Sequence, residues 1–474
     1  MKLSKHLLCF VIWVQILSCS VLPSEPISLD SFLTQLKLNH PKIAQLRLNS
    51  DIGEQKKNAS KDTQDWLFKS KLAYLDSEPL SIGFQTLNEL KKNSFESSLN
   101  KLFWSTGGHL SFGFEANQNQ VKRSALATSF MSDNLDKYTE TKTYIQYKQP
   151  LFQNLGGKLF RYPYEQEEKN AQLSVLNAEE SIEHFLQSMS DQFIHWRYLQ
   201  ILQNIAKKRL ALAKKSYKQS QKRFKANVVE TLDVLRSEAA LNLAKQQLLH
   251  ATSKLKSHQK QLSQASHMPE LNSKYPNVSI YETYNHFKVP SLDSTRLMKG
   301  FYIQKSLIKQ SQEFYIEQQK PDLNLSLYAS LSSYDKRLAD AFLLNYNDYQ
   351  ITIDYSVALG QTKTRANLEA FRLKEIQLEK DKKQSKLMLL AKKKALETQL
   401  KQLKEILRLN KKQVRLSKQV TTEELRLYNQ GRTNIFQVIQ AQDQEQQTQE
   451  AYAKQARNYQ SLHLELKGLF DLIY

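Results

Sequence analysis

The sequence predicts a mixed α/β membrane protein with an internal duplication, in which pairs of β-strands alternate with very long α-helices. The chain has 474 residues but only 11 Gly and 10 Pro, fewer than is usual for this length. No Pro lies between Pro163 and Pro269 or after Pro321. Long stretches without helix breakers, rich in Lys, Gln, Leu, Ala and Glu, are typical of long helices. This composition argues against an enzyme built from short alternating strands and helices.

The first twenty residues have the composition of an export signal. Lys2 and Lys5 give a positive start, and residues 7–17 form an apolar run of the length found in signal peptides. Small residues follow, so that cleavage after Ser20 would leave Val21 as the first residue of the mature chain. Removal of the two lysines lowers the formal net charge from +21 to +19.

A second way of processing stays open, because residues 16–19 also resemble a lipobox. Cleavage there would make Cys19 the lipidated first residue of the mature chain. The other cysteine, Cys9, lies inside the apolar run. We therefore expect no disulfide and no thiol chemistry in the exported protein.

Two segments of the second half, 323–331 and 349–357, alternate apolar and polar residues with a period of two. Nine such residues are the length of a tilted membrane-spanning strand with one lipid face and one wet face. The strand pattern alone leaves open an ordinary soluble hairpin with one buried face. No later segment has 18 consecutive apolar residues, so insertion into a membrane would need strands that close into a barrel.

Internal repeats favour the membrane interpretation. Residues 28–31 recur as residues 291–294, and a weaker hairpin at 110–114 and 143–147 matches the strand pair of the second half. A further echo has a constant offset of 204 residues and pairs Phe224, Asn227, Leu232, Val234 and Leu235 with Tyr428, Gly431, Phe436, Val438 and Ile439.

The duplication predicts the domain organisation. We expect an export signal over residues 1–20, a first repeat over 21–268, a linker over 269–290 and a second repeat over 291–474. Each repeat contains a helix, a β-hairpin and a long helical hairpin. Segment 65–106 has no counterpart in the second repeat; its strand-like residues 66–75 and 99–103 have no assigned place.

The long helices are predicted over residues 158–226 and 361–430. Each has about 70 residues, which corresponds to on the order of 105 Å. Their apolar residues step by three and four positions, as in a coiled coil, for example at 396, 400, 403 and 407. The many lysines between them are interpreted as solvated helix faces. We expect no nucleic-acid binding, since the chain lacks interleaved basic and aromatic residues.

The ordered motifs resemble those of the TolC-like outer-membrane efflux proteins over residues 28–470. Residues 149–152 with Gly156 and Gly157 are similar to the strand-to-helix link of that family, and residues 223–235 and 427–439 to its two helical-hairpin turns. The resemblance implies a homotrimer in which each chain gives four strands to one twelve-stranded β-barrel in outer-membrane lipid. The long helices would continue it as a coiled-coil barrel through the periplasm.

The resemblance also implies a function without catalysis. The protein would be the exit duct of a tripartite efflux or type I secretion system, with a periplasmic adaptor (membrane fusion) protein and an inner-membrane pump as partners. No cofactor, metal or active site is expected, and the sequence has neither a Gly-rich phosphate loop nor a Cys/His cluster. An exported periplasmic coiled-coil adaptor or structural protein without a membrane barrel is the alternative.

Members of the family close the periplasmic entrance with a gate at the two helical turns. By this resemblance the gate residues are Asp233, Tyr428 and Arg432. Arg432 lies one position earlier than the usual gate arginine, where this chain has Thr433. In the alternative interpretation Tyr428 packs, Asp233 caps a helix and Arg432 is solvated.

The family also carries acidic residues on the entrance lumen just beyond the second turn. The matching positions here are Gln437 and Gln440, which are neutral. Residues three apart share one helix face, so three chains would present uncharged rings. The nearby Asp443 would restore part of the negative field if it also faced the lumen.

Overall fold

The computed structural model describes residues 25–78, 87–123, 136–284, 290–337 and 339–474. The predicted export signal with Cys19 lies outside these residues, as does part of the predicted linker over 269–290. The chain forms two compact units, and each draws on both predicted repeats. One unit comprises the described residues within Met1–Ala44, Ile182–Val289 and Ala391–Tyr474, and the other those within Gln45–Ser181 and Pro290–Leu390.

The described residues contain eight strands and seven α-helices. The strands are β1 (Pro26–Ile27), β2 (Leu67–Ser77), β3 (Leu87–Leu102), β4 (His109–Arg123), β5 (Lys137–Pro150), β6 (Tyr275–Pro276), β7 (Asp322–Asp335) and β8 (Tyr346–Ser356). The helices are α1 (Leu29–Asn39), α2 (Pro41–Ala59), α3 (Lys158–Lys225), α4 (Thr231–Ala265), α5 (Arg296–Gln319), α6 (Thr362–Asn429) and α7 (Ile435–Gly468). None of the helices in the ranges given above is both long and apolar enough to cross a bilayer.

Helices α3 and α6 have 68 residues each, and the predicted bounds are confirmed to within one residue at each end. The sequence signals at the ends explain this precision. Gly157 and Gly360, just before the two helices, have positive φ angles of 70° and 98°, which suits glycine because it has no Cβ. A side chain at Gly157 would also collide with the carbonyl group of Trp104.

The unit that contains the large sheet has six strands in the order β2-β3-β4-β5-β7-β8, all antiparallel. The prediction of a strand pair in each repeat is confirmed by the pairs β4–β5 and β7–β8. The prediction of four strands per chain is wrong, because segment 65–106 adds the hairpin β2–β3 to the same sheet. The strand-like residues 66–75 and 99–103 lie largely in this hairpin; they had no assigned place because β3 has few apolar residues and gives a weak period-two signal.

The register of the sheet separates its two faces. On one face, Leu99 of β3 lies opposite Phe112 of β4, which lies opposite Ile145 of β5. This apolar face is exposed and extends from one edge strand to the other; further members are Phe68, Leu72, Leu327, Tyr349, Ile351 and Ile353. The other face is polar, with Ser111, Ser326 and Ser330 buried on it.

The unit that contains the helical turns is held together by side chains from helices of both repeats. One core cluster joins Ile194 of α3 to Leu407 of α6 and Ala456 of α7. A second cluster joins Ala213 of α3 to Leu241 of α4. Narrow seams of this kind bury one face of each helix and leave its other faces polar, as expected for coiled-coil packing.

Candidate functional site at the helical turns

The two turns that connect the long helices have the same backbone geometry. After α3, the amide of Asn227 donates to the carbonyl of Phe224 (2.9 Å) and the amide of Val228 to that of Arg223 (2.9 Å). After α6, the same pair of bonds runs from Gly431 to Tyr428 (3.0 Å) and from Arg432 to Leu427 (2.9 Å). This is the Schellman motif, which places one residue of each turn at positive φ.

The residues at positive φ are Asn227, with φ of 52°, and Gly431, with φ of 75°. They are separated by 204 positions, the same offset that the sequence echo has. Glycine and asparagine are the residues that tolerate this conformation best. The duplication is therefore present in the backbone of the turns as well as in the sequence.

Tyr428, a predicted gate residue, is almost completely buried, with 1% of its surface exposed. It packs against Ile435 and Val438, and its hydroxyl lies 3.1 Å from Oγ of Ser220. The guanidinium of Arg223 lies over its ring at 4.7 Å and donates a hydrogen bond to its backbone carbonyl. Arg223 of the first repeat therefore holds the end of a helix of the second repeat.

Asp233 and Arg432, the other two predicted gate residues, are placed differently. Arg432 is exposed and Asp233 is half-buried in the first turn of α4. Neither side chain makes a hydrogen bond or ion pair with other residues that the structure describes. Glu230, and not Asp233, occupies the N-cap position of α4, and it makes no side-chain cap bond. The interpretation of Asp233 as a helix cap is therefore wrong.

Gln437 and Gln440 lie in the first turns of α7 and are exposed. Helix α7 begins after Asn434, whose Oδ1 accepts a hydrogen bond from the amide of Gln437 (3.1 Å). Asparagine is among the strongest N-cap residues because its side chain satisfies an amide that has no partner within the helix. The two amide side chains are thus exposed at a helix start that is capped by Asn434.

Asp443, one helical turn further on, is neutralised by a buried arginine. Nε and Nη2 of Arg209 lie 3.0 and 2.9 Å from Oδ1 of Asp443, and 4% of Arg209 is exposed. Its Nη1 also donates to Oε1 of Gln442 (2.9 Å), and Nε2 of Gln442 donates to Oγ of Ser216 (2.9 Å). A buried guanidinium needs such partners, so the charge of Asp443 is already used within the chain.

The contacts of Arg209 and Arg223 were not predicted. Both residues lie on α3, and their partners lie more than 200 positions away in the chain, beyond the reach of helical spacing rules. One weak signal exists for Arg223. It occupies the position equivalent to Leu427 in the echo of 204 residues, so a charge replaces an apolar residue where the two repeats should match.

Two histidines of the helical unit have strongly shifted acidities. Burial, followed by the positive charge of nearby Lys467, lowers the pKa of His463 to about 4. Burial, together with His258 at a ring distance of 4.8 Å, lowers the pKa of His195 to about 4. Both imidazoles are therefore neutral at pH 7.

Two strand pairs that alternate with 68-residue helices, and a Schellman turn after each of these helices, are features of one known fold. The chain has a TolC-like fold. VceC, an outer-membrane protein of Vibrio cholerae, is similar with a TM-score of 0.66 and 12% identity, over 94% of this chain and 96% of that chain. The TolC-like fold is also that of the outer-membrane channel CmeC of Campylobacter jejuni, with a TM-score of 0.65 and 10% identity over 94% and 86% of the chains.

A third similar structure is the open state of the outer-membrane channel MtrE of Neisseria gonorrhoeae. Its TM-score is 0.63 and its identity 14%, over 94% of this chain and 89% of that chain. No family model and no curated protein sequence matches this chain. The TolC-like fold is thus shared at 10–14% sequence identity, and the predicted fold class is confirmed except for the number of strands in each chain.

Proposed function

We propose that this chain forms the outer-membrane exit duct of a tripartite efflux or type I secretion system. It would act as a homotrimer together with a periplasmic adaptor protein and an inner-membrane pump. The TolC-like fold over 94% of the chain supports this. The observation that carries the proposal is the exposed apolar face that runs across all six strands of the large sheet.

That face also weighs against a periplasmic adaptor or structural coiled coil. Ile351 and Ile353 of β8 are 74% and 66% exposed, and Leu72 of β2 is 80% exposed. Contiguous exposed apolar surface of this kind is rare on soluble proteins. Alternation of lipid-facing apolar and lumen-facing polar residues is the pattern of an outer-membrane strand.

Substitution in β8 tests the function. Ile351→Arg with Ile353→Arg places two charges on the apolar face, each costing about 2–4 kcal/mol near the midplane of a bilayer. We expect the trimer to disappear from the outer-membrane fraction. Gln350→Arg, on the polar face of the same strand, is the matched control and should insert normally. Normal insertion of the double variant would contradict the proposal.

We further propose that Asp233, Tyr428 and Arg432 contribute to a gate that closes the entrance. Tyr428 fixes the second turn through Ser220 and Arg223, while Asp233 and Arg432 have charges that a neighbouring copy is able to pair. A closed state would then rest on contacts that an open state lacks, and their removal would shift the population towards opening. Charge-assisted hydrogen bonds of this kind contribute about 1.5–3 kcal/mol each.

Single-channel recording tests the gate. Asp233→Ala with Tyr428→Phe removes one charge and the hydroxyl that reaches Ser220, and we expect higher conductance or longer openings in planar bilayers. Glu238→Ala, at an exposed position of the same helix, should leave the recordings unchanged. Unaltered conductance of an assembled double variant would mean that these residues serve packing only.

We also propose that the entrance has weak cation selectivity or prefers anions. Gln437 and Gln440 are neutral at the two positions where the resembled family carries acidic residues, and Asp443 is paired with Arg209. In a narrow entrance fixed charges are poorly screened and dominate selectivity. The protein should therefore show little block by trivalent cations added from the periplasmic side.

Reversal potentials in a salt gradient test this. Gln437→Asp with Gln440→Asp should move the selectivity towards cations and introduce block by trivalent cations. The substitution suits the fold, because an acidic residue in the first turn of α7 is favoured by the helix dipole. Strong cation selectivity of the unmodified protein would contradict the proposal.

A further inference from the structure

The large sheet has two open edges, and their chemistry indicates what covers them. Among the described residues β2 and β8 each pair with one strand only. Nearly every side chain of both strands is exposed, whereas the inner strands bury residues such as Ser111 and Ser330. An open edge has unpaired amide and carbonyl groups, which a bilayer does not tolerate.

We propose that β2 of one chain pairs with β8 of a second copy, so that three chains close an eighteen-stranded barrel. The inference rests on the proposed function, since it assumes a trimer in the outer membrane. Six is an even number of strands, so β2 and β8 run in opposite directions, and the seam between copies is antiparallel like every other pairing in the sheet.

The lengths of the two edge strands fix the register. Both have 11 residues, and pairing over their full length places Leu67 opposite Ser356 and Ser77 opposite Tyr346. This register also matches the faces. Leu72 falls opposite Ile351 on the apolar face. Phe68 falls opposite Tyr355, and Tyr74 opposite Tyr349, on that same face.

The charges at the seam are complementary in this register. Lys69 lies on the polar face of β2 and falls opposite Asp354 on the polar face of β8. Directly opposed side chains of unlike charge stabilise an antiparallel pair. In each single chain these two residues lie on opposite edges of the sheet, so that the pair forms only between copies.

The same register gives a plausible barrel geometry. Within one chain, the residues paired from strand to strand, starting at Leu67 of β2, end at Gln350 of β8. At the seam, Leu67 of the next copy lies opposite Ser356, six residues further along β8. The stagger is therefore one residue per strand. An eight-stranded barrel with a shear of 8 has the same stagger per strand, and its strands tilt by about 36°. Outer-membrane barrels have tilts of about 35–45°.

Eighteen strands would make this barrel wider than the twelve-stranded one that the family resemblance implies. Barrel diameter grows roughly linearly with strand number, so the width would increase by a factor of about 1.5. The added hairpin β2–β3 continues both faces of the sheet, because Phe68 and Leu99 are paired on the apolar face. The hairpin is therefore suited to be part of the wall.

Disulfide cross-linking in the outer-membrane trimer tests the seam. Lys71→Cys with Thr352→Cys places two thiols opposite each other, and paired antiparallel residues have Cα distances that a disulfide can bridge. We expect a covalent trimer on a non-reducing denaturing gel that disappears with reductant. Each single variant controls for the natural Cys9 and Cys19.

Two matched pairs separate the alternatives. Lys71→Cys with Tyr346→Cys puts the thiols on the same face but about 20 Å apart along the strand, and should give no covalent trimer. Glu115→Cys of β4 with Thr352→Cys should cross-link only if β4 is the edge, as in a twelve-stranded barrel. A covalent trimer from this β4 pair, and none from Lys71 with Thr352, would overturn the inference and leave the proposed function intact.

A charge exchange gives a second measurement that does not depend on thiols. Lys69→Asp or Asp354→Lys alone should lower the temperature at which the trimer band dissociates, and the two together should restore it. Equal loss in the double variant would contradict the register. If the unmodified protein forms no trimer in the outer membrane, both this inference and the proposed function fall.

Discussion

The two helical turns share a backbone but differ in how they are packed. At the second turn Tyr428, Ile435 and Val438 are buried, with 0–1% of each exposed. At the first turn Phe224, equivalent to Tyr428, is 42% exposed. Its apolar neighbours Val228, Leu232 and Leu235 are 48–58% exposed. The Schellman motif therefore sets the path of the backbone but not the packing of the side chains. The second turn buries its apolar side chains within the chain, whereas the first turn leaves them exposed.

The largest expected effect comes from truncating the equivalent aromatic residues. Tyr428→Ala should destabilise the protein by about 3–5 kcal/mol, the usual cost of removing a buried aromatic ring. Phe224→Ala should change stability by about 0.5 kcal/mol or less, as for most surface substitutions. Thermal unfolding followed by circular dichroism measures both. An equally large loss for Phe224→Ala would mean that the first turn is covered in the assembly.

A smaller and pH-dependent effect on stability distinguishes α7 from α4, the helices that follow the two turns. His463 of α7 is 6% exposed and stacks on Tyr284 at 4.3 Å, while the equivalent residue of α4 is Gln259, which does not titrate. Because burial lowers the pKa of His463 from 6.5 to about 4, the unfolded chain binds more protons between these values. His463 therefore leaves the free energy of unfolding unchanged above pH 6.5 and lowers it progressively as the pH falls from 6.5 towards 4.

Denaturation at pH 7 and pH 4.5 measures this contribution, which is up to about 3 kcal/mol from the pKa difference. His463→Gln should reduce the loss of stability on acidification, leaving the part due to His195. His250→Gln, at an exposed position of α4, is the control and should behave like the parent protein. An unchanged pH dependence in His463→Gln would show that this histidine titrates normally.

The smallest expected effect concerns the two helix starts. Asn434 caps α7 through its side chain, whereas Glu230 makes no such bond at the start of α4. Asn434→Ala should therefore cost about 1 kcal/mol and Glu230→Ala about 0.5 kcal/mol or less. Chemical denaturation resolves this difference. Equal losses would indicate that the two caps are equivalent in solution.

Most of the fold could be predicted because its signals are local. The great length of α3 and α6 follows from stretches with few helix breakers and their ends from the glycines and the echo at the turns, while the presence of β7 and β8 follows from a period of two. The hairpin β2–β3 could not be placed, because β3 carries residues such as Lys92 and Asn93 whose faces are set only by pairing with neighbouring strands. A pattern within one segment does not contain that information.

The candidate site shows the same limit. Tyr428 was predicted as a gate residue from its resemblance to the second helical turn of the family, a motif that is local because it depends only on the residues up to Gly431. Its partner Arg223 was not recognised, because the contact joins two repeats that no helical spacing relates. The pairing of Arg209 with Asp443 is likewise non-local, and it gives Asp443 a partner that the sequence does not indicate.

The added hairpin β2–β3 has ends that meet. Nε1 of Trp104 lies 3.0 Å from Oγ1 of Thr63, so the chain returns to the rim of the sheet from which it departed. A single extra strand would have brought the chain out at the opposite rim, and every later element would have been inverted. An insertion that keeps the direction of the later elements therefore adds strands to this sheet in pairs. A sheet of this kind is extended by a whole hairpin without changing the direction of the strands and helices that follow.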